Sequence, residues 1–155
     1  MHAMTKVKLK PITRDNYMDA FRLKVHPAQE DLVADNIGSL AQAYVFDYAR
    51  PFGIYRGDEA VGFVMLSLED IEEGEVWVWR FMIGSSLQRQ GLGTLAMQAI
   101  IEHVQSMPEA TTIKLSHAPR EGGAGPFYTG LGFTYTGEIE HEEPVMEMKL
   151  SNGPR

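Results

Sequence analysis

The sequence predicts a mixed α+β domain built on one central, mostly antiparallel sheet of seven strands with about four helices. Three observations carry this. Phe52-Gly53-Ile54-Tyr55 and Ala60-Val61-Gly62-Phe63-Val64-Met65-Leu66 flank a turn at Arg56-Gly57-Asp58-Glu59 and read as an antiparallel hairpin. Val76-Trp77-Val78-Trp79-Arg80-Phe81-Met82-Ile83 is nearly continuous in β-branched and aromatic residues, as a strand in the buried centre of a sheet is. Gly91 to Met107 then carries Leu92, Leu95, Ala96, Ala99, Ile100, His103 and Val104 at helical spacing, and Thr111-Thr112-Ile113-Lys114-Leu115 follows as a strand. A helix joining two strands of one sheet makes them parallel.

The remaining elements fall around this centre. Val7 to Lys10 is a first strand that Pro11 ends. Tyr17, Ala20 and Phe21 give helical spacing from Thr13 to Val25, with Thr13 or Asp15 as the cap. Pro27 suits the first position of a second helix, in which Leu32, Val33, Ile37, Leu40, Ala41 and Tyr44 recur, and which ends before Arg50-Pro51. The acidic stretch from Glu69 to Glu75 is a loop, and Pro108 stops the long helix. A short helix over Gly125 to Leu131 and strands at Phe133 to Thr136 and Val145 to Leu150 complete the chain. Residues 4 to 150 read as a single domain. Met4 offers a natural start, which would leave Met1 to Ala3 as a cloning remnant, and 151–155 read as a frayed tail.

Composition narrows the chemistry. The 155 residues are 44% hydrophobic and 23% charged, with no apolar run of the length that spans a bilayer and no secretory leader, so the expectation is a cytoplasmic protein without a membrane partner. The absence of cysteine excludes disulfides and a thiolate nucleophile, and the histidines show no metal-ligand spacing, so no metal is expected. Fourteen basic against 21 acidic residues leave a net charge of −7, which disfavours nucleic acid and draws small cations.

The segment Gln88-Arg89-Gln90-Gly91-Leu92-Gly93-Thr94 lies between the central strand and the long helix. Glycines at 91 and 93 remove the Cβ atoms that would hold a phosphate away from the backbone N–H groups opening the helix, Arg89 offers a cation, and Thr94 a hydroxyl. No Gly-Lys-Ser or Gly-Lys-Thr follows, and a third spaced glycine is missing, so neither the nucleotide P-loop nor the dinucleotide fingerprint fits.

This spacing, Gln-x-x-Gly-x-Gly, resembles motif A of the GNAT superfamily of N-acetyltransferases, and the order of strands and helices read above is similar to that family's along most of the chain. The resemblance implies the GNAT fold and acetyl-CoA as cosubstrate, with the pyrophosphate on Gln88, Arg89, Gln90, Gly91, Leu92, Gly93 and Thr94. It also implies that the backbone of the segment Arg80-Phe81-Met82-Ile83, with Phe81, Met82 and Ile83 as the expected binding residues, meets the pantetheine arm where the central strand splays from the strand at Ile113 to Leu115. Alternation would put Trp77, Trp79 and Phe81 on one face, with at least one of them serving the core. Ala124-Gly125-Pro126-Phe127-Tyr128-Thr129-Gly130-Leu131-Gly132-Phe133 looks like the family's Ala-x-x-x-Tyr-x-x-x-Gly-Phe segment, which implies Tyr128 as the acid that protonates the leaving thiolate. Upstream the family commonly has Asn-x-x-Ala where this chain has Glu121-Gly122-Gly123-Ala124. The combined pattern is similar to bacterial spermine/spermidine acetyltransferases, which implies a small cationic amine, a polyamine, as acceptor. Aminoglycoside-like antibiotics, amino acids and protein N-termini stay open, as does a non-catalytic acetyl-CoA sensor. Family members are often homodimers.

An amine with a pKa of about 10.4 must lose a proton before it attacks. Candidate carboxylates are Glu69, Asp70, Glu72, Glu73 and Glu75 ahead of the central strand and Glu30 and Asp31 near the second helix; Glu30, Glu73 and Glu75 are the ones expected to bind the acceptor. His117 is a further titratable candidate. The residues alone do not choose among them.

Overall fold

The computed structural model describes residues 6–24, 35–88, 90–119 and 123–151. In chain order these hold β1 (Lys8–Pro11), α1 (Tyr17–Arg22), α2 (Asn36–Val45), β2 (Ala49–Arg56), β3 (Glu59–Ser67), β4 (Glu75–Ile83), α3 (Leu92–Gln105), β5 (Thr112–Ser116), α4 (Gly125–Leu131), β6 (Thr134–Glu140) and β7 (Glu143–Lys149). The strands form one sheet in the order β1-β2-β3-β4-β5-β7-β6. Among the described strands only β4 and β5, joined through α3, run parallel.

Both faces of the sheet are covered. On one, Val64, Leu66, Val76, Val78, Ile113 and Met146 meet Leu92, Ala96, Met97, Ile100 and Val104 of α3 in the main core. On the other, Phe63, Met65 and Met82 pack with Ala20 of α1, Ala49 and, at the margin, Leu40, Ala43 and Trp79. Each such large side chain taken fully from water is worth roughly 1.5–3 kcal/mol. Gly62 shows how tightly the centre is built. A Cβ there would lie 2.5 Å from the Met82 carbonyl oxygen and 2.9 Å from Ile83 Cδ1. Backbone cannot retreat as a side chain does, so Gly62→Ala is expected to lower unfolding free energy by about 3 kcal/mol, read as a reduced urea midpoint at unchanged slope.

Several boundaries differ from the sequence expectation. The first helix starts at Tyr17 because a turn precedes it: the Asn16 side chain accepts from Thr13 N–H at 2.7 Å, and Asn16 and Tyr17 N–H both donate to the Thr13 carbonyl. It ends at Arg22, and Val25 lies outside the described residues, as do Pro27, Leu32 and Val33 of the expected second helix. The described part of that helix is capped by Asp35, whose carboxylate accepts from Gly38 N–H at 2.6 Å. Asn36 takes a core-facing place, its amide donating to the Ala20 carbonyl at 2.8 Å, so Ile37 and Tyr44 are turned outward.

β2 begins at Ala49 and contains Pro51. Pairing with β1 stops at Phe52, so the proline stands where β2 has become an edge and its missing N–H leaves no ladder bond unmade. β6 and the start of β7 reach into the acidic segment beyond the expected bounds. β6 is the outermost strand and almost wholly exposed, so it needs no apolar alternation to form.

Candidate active site

β4 and β5 pair only over Glu75, Val76 and Trp77. Beyond that point Leu115 and Ser116 pair with β7, while Phe81, Met82 and Ile83 pair with β3 alone. The sheet therefore opens into a cleft of about 1290 Å³ between β4, the start of α3, α4 and the β6–β7 hairpin. The backbone of β4 along this opening has the unpaired character of a sheet edge, to which an extended amide chain can add.

A bulge shapes the opening. Met65 pairs with Arg80 but Leu66 with Val78, so β4 carries one extra residue there. The extra residue reverses the alternation, and the expectation that Trp77, Trp79 and Phe81 share a face is corrected. Trp79 sits against Phe46 and Tyr48, ring centroids 6.0 and 6.1 Å away, on the face that α2 covers. Phe81 turns to the α3/α4 side and stacks on Phe127 at 6.5 Å and 8°. Met82 and Ile83 bury their side chains on opposite faces, so what they can offer a ligand is backbone.

At one end of the cleft, Gly91 forms the N-cap of α3 with φ +76 and open space where a Cβ would stand. Among the described residues no side chain caps the helix, and the first N–H groups of an α-helix have no acceptor within it, so this end presents donors and a positive dipole. A Cβ on Gly93 would reach ordinary contact with the Phe127 ring at 3.4 Å, which brings α3 and α4 together at the cleft. Thr94 also lines it. The other expected residues of this turn play different parts. The Gln88 amide donates to the Ile83 carbonyl at 2.9 Å and ties the turn to the end of β4. Gln90 is exposed and accepts from Arg56, and the Leu92 side chain is buried in the main core. Arg89 lies outside the described residues.

Tyr128 faces the cleft from α4, 8% exposed, with its ring edge-on to Phe133 at 5.8 Å and beside Phe127 at 5.3 Å. The helix is held at its first residue. His117 donates from Nδ1 to the Ala118 carbonyl at 2.9 Å, and its Nε2 meets the Tyr135 hydroxyl at 2.9 Å, both groups closing on Gly125. Burial, reinforced by the Glu143 charge, pushes the Tyr128 hydroxyl up to about 12. Burial and the Asp19 carboxylate that its hydroxyl donates to do the same for Tyr55. A phenol with a raised folded pKa supports the fold fully below its unfolded value near 10, and that support is lost as pH rises toward 12. We expect Tyr128→Phe to flatten the fall of unfolding free energy between pH 10 and 12 by up to about 3 kcal/mol, measured by urea titration at each pH.

The opposite end is acidic. Glu69, Asp70, Glu75, Glu138, Glu140 and Glu143 line the cleft, against one lysine and one arginine. Lys114, nearly buried beneath Trp77, binds Glu75 at 3.1 Å and Glu138 at 3.3 Å, so Glu75 is neutralised by a partner that its own sequence neighbourhood did not announce. Glu73 is exposed and does not line the cleft, while Glu30, Asp31 and Glu121 lie outside the described residues. Glu143 is a cleft residue that sequence reasoning missed, and Arg80, expected there only for its backbone, brings its guanidinium as well. Arg80 donates to the Trp79 carbonyl and to Gln42, and its buried Nε has no partner among the described residues. Glu143 accepts from Ser116 Oγ at 2.8 Å. The only signal for it was the clustering of Glu138, Glu140, Glu142 and Glu143 ahead of Pro144, which reads equally well as a solvated turn. Among the described residues no group of three His, Asp or Glu side chains is placed to hold a metal, and no helix is long and apolar enough to cross a membrane.

A mixed sheet split between its two parallel strands, with a helix start at one end of the split, can hold an extended, phosphate-bearing cosubstrate, and residues 12–133 match the acetyltransferase (GNAT) family. The chain belongs to that family and is an acetyl-CoA-dependent N-acetyltransferase. It is 31% identical over 150 residues to the spermine/spermidine N(1)-acetyltransferase of Bacillus subtilis (strain 168), a match covering 93% of this chain and 99% of that one. Among solved structures, the fold is similar to that of the spermidine N-acetyltransferase from Vibrio cholerae in complex with CoA and spermine. The TM-score is 0.74 at 15% identity, covering 95% of this chain and 97% of that one. It is also similar to AAC(6')-Ib in complex with paromomycin and acetyl-CoA, with a TM-score of 0.78 at 16% identity, covering 95% of each chain.

Proposed function

We propose that residues 4–150 form one N-acetyltransferase domain whose acceptor is a linear polyamine, and that the amine attacks acetyl-CoA directly in a ternary complex. The observation that carries this is the division of charge along the cleft. Six carboxylates line one end, and the turn at Gln88, Gly91, Gly93 and Thr94 contributes none. A ligand with phosphates at one end and a partner with several ammonium groups at the other match that division. The activity of the Bacillus subtilis relative and the spermine held by the Vibrio cholerae enzyme support the same reading.

In this reading the α3 N-terminus and Gly91 take the pyrophosphate, and the β4 backbone at Phe81–Ile83 takes the pantetheine arm as an added strand. The thioester then lies within the cleft near Tyr128, the acid for the departing thiolate. Acetyl-CoA supplies the activated acyl carbon. The protein orients it, keeps water from it and stabilises the oxyanion with backbone N–H groups.

Release of free coenzyme A thiol, followed in parallel with spermidine, spermine, an aminoglycoside and a peptide amine, tests the proposal. Turnover with the polyamines, and a polyamine KM that rises with ionic strength while that for acetyl-CoA changes less, is the expected result. Turnover confined to the aminoglycoside or the peptide would replace the acceptor. Acetyl-CoA binding without turnover on any amine would favour a sensor.

A further inference from the structure

Most of the cleft's carboxylates are poorly placed to handle a proton at the reacting nitrogen. Glu75 and Glu138 are committed to Lys114, and the Glu138 and Glu140 side chains are 61% and 54% exposed. Glu69 is exposed on the β3–β4 loop, and Asp70 beside it, though half-buried, makes no side-chain hydrogen bond to the turn it opens, so nothing there sets its carboxylate. Glu143 differs. It is half-buried at the first position of β7, beside the end of β5, where Ser116 Oγ donates to its Oε1 at 2.8 Å and sets the orientation of the carboxylate. A carboxylate can accept about four hydrogen bonds, so the serine leaves capacity for an ammonium. Glu143 lines the same cleft as Tyr128 and Arg80.

We propose that Glu143 is the catalytic carboxylate that receives the acceptor's ammonium beside Tyr128 and takes the proton the nitrogen must lose before it attacks. The assignment rests on the reading of the cleft as a polyamine acetyltransferase site. The steps balance as follows. One N–H proton of the ammonium passes to Glu143, and the freed lone pair forms the N–C bond at the thioester carbonyl. Collapse of the tetrahedral intermediate breaks the C–S bond, Tyr128 protonates the thiolate, and the second proton lost by nitrogen restores the phenol. Glu143 releases its proton to solvent, so one proton leaves per turnover.

The two residues are coupled through charge. The Glu143 carboxylate is the charge that, after burial, opposes ionisation of Tyr128. Once Glu143 has taken the amine's proton that opposition is gone, and Tyr128 becomes the better acid at the stage when the thiolate forms. The same carboxylate favours the charged form of Arg80, which burial otherwise disfavours. Its charge thus acts on two cleft groups from one anchored position.

The test compares wild type with Glu143→Gln, which keeps the shape and the serine's acceptor, and with Glu142→Gln, which removes one charge from the exposed neighbour outside the cleft. At pH 7 we expect Glu143→Gln to lower kcat/KM for spermidine by about 100-fold with acetyl-CoA affinity by calorimetry within about twofold, and Glu142→Gln to match wild type. The variant's rate should climb about tenfold per pH unit toward the amine's own pKa, where deprotonation needs no base. Retention of the rate within about threefold of wild type at the wild-type pH profile overturns the assignment. Loss of rate together with loss of acetyl-CoA binding also overturns it, because the residue would then be structural. Wild type that acetylates no polyamine would instead sink the acceptor reading and the Glu143 assignment with it.

Discussion

Tyr128→Phe is expected to lower kcat by about 100-fold to 1,000-fold while leaving acetyl-CoA affinity within a few fold. The ring is held by Phe127 and Phe133 through its faces and edge, and these contacts survive removal of the hydroxyl, so the helix should keep its place. In the proposed role, what disappears is the proton for the leaving thiolate. A hydroxyl pushed up to about 12 remains protonated across the assay range, so wild type should show no loss of rate between pH 8 and 10 from ionisation of this residue. Single-turnover thiol release with saturating spermidine, scored at several pH values, checks both statements. Turnover equal to wild type across pH would remove Tyr128 from the chemistry.

Gly91→Asp is expected to weaken acetyl-CoA binding by at least about 100-fold, or about 2.7 kcal/mol. Two effects are separable here. The left-handed φ of +76 penalises side chains in general, but Asp and Asn tolerate it better than other residues, and no atom obstructs a Cβ at this position. The backbone cost is therefore small, about 1 kcal/mol, and shared by both variants. A carboxylate about 4 Å from a phosphate charge costs roughly 4 kcal/mol near a protein surface, and only Asp has that term. Gly91→Asn should accordingly lose at most about fivefold where Gly91→Asp loses a hundredfold or more. Calorimetric titration of acetyl-CoA into the three proteins reads the difference. Binding by Gly91→Asp at wild-type affinity would place the pyrophosphate elsewhere.

Gly91 was legible as a helix start without a fold because its geometry is local, whereas Tyr128 was singled out by resemblance to a family segment. A left-handed glycine opening a helix is a property of a few consecutive residues, and the apolar run at Val76–Ile83 beside the periodic stretch after Gly91 announced which strand and helix flank it. The hairpin of β2 and β3 and the parallel pair of β4 and β5 followed from equally short patterns. Helix ends were read less well. Thr13 and Asn16 close a turn that simple periodicity counts as helix, and Asn36, a polar residue, holds a core-facing position because it finds the Ala20 carbonyl.

Sequence alone determined the class of sheet and the glycine-opened helix start beside the central strand, and the resemblance of the segment around Tyr128 pointed to that tyrosine. Tertiary structure decided the rest, because each remaining feature depends on residues far apart in the chain. The β4 bulge turns Phe81 away from Trp79, and it exists only through the register of Met65 and Leu66 on β3. Lys114, about 40 residues beyond Glu75, removes that carboxylate from the set available to a cation. Glu143 enters the site because β7 lies beside β5 and places it against Ser116. Local backbone geometry is written in neighbouring residues, whereas which charges face a cleft and which are already paired depends on strand order.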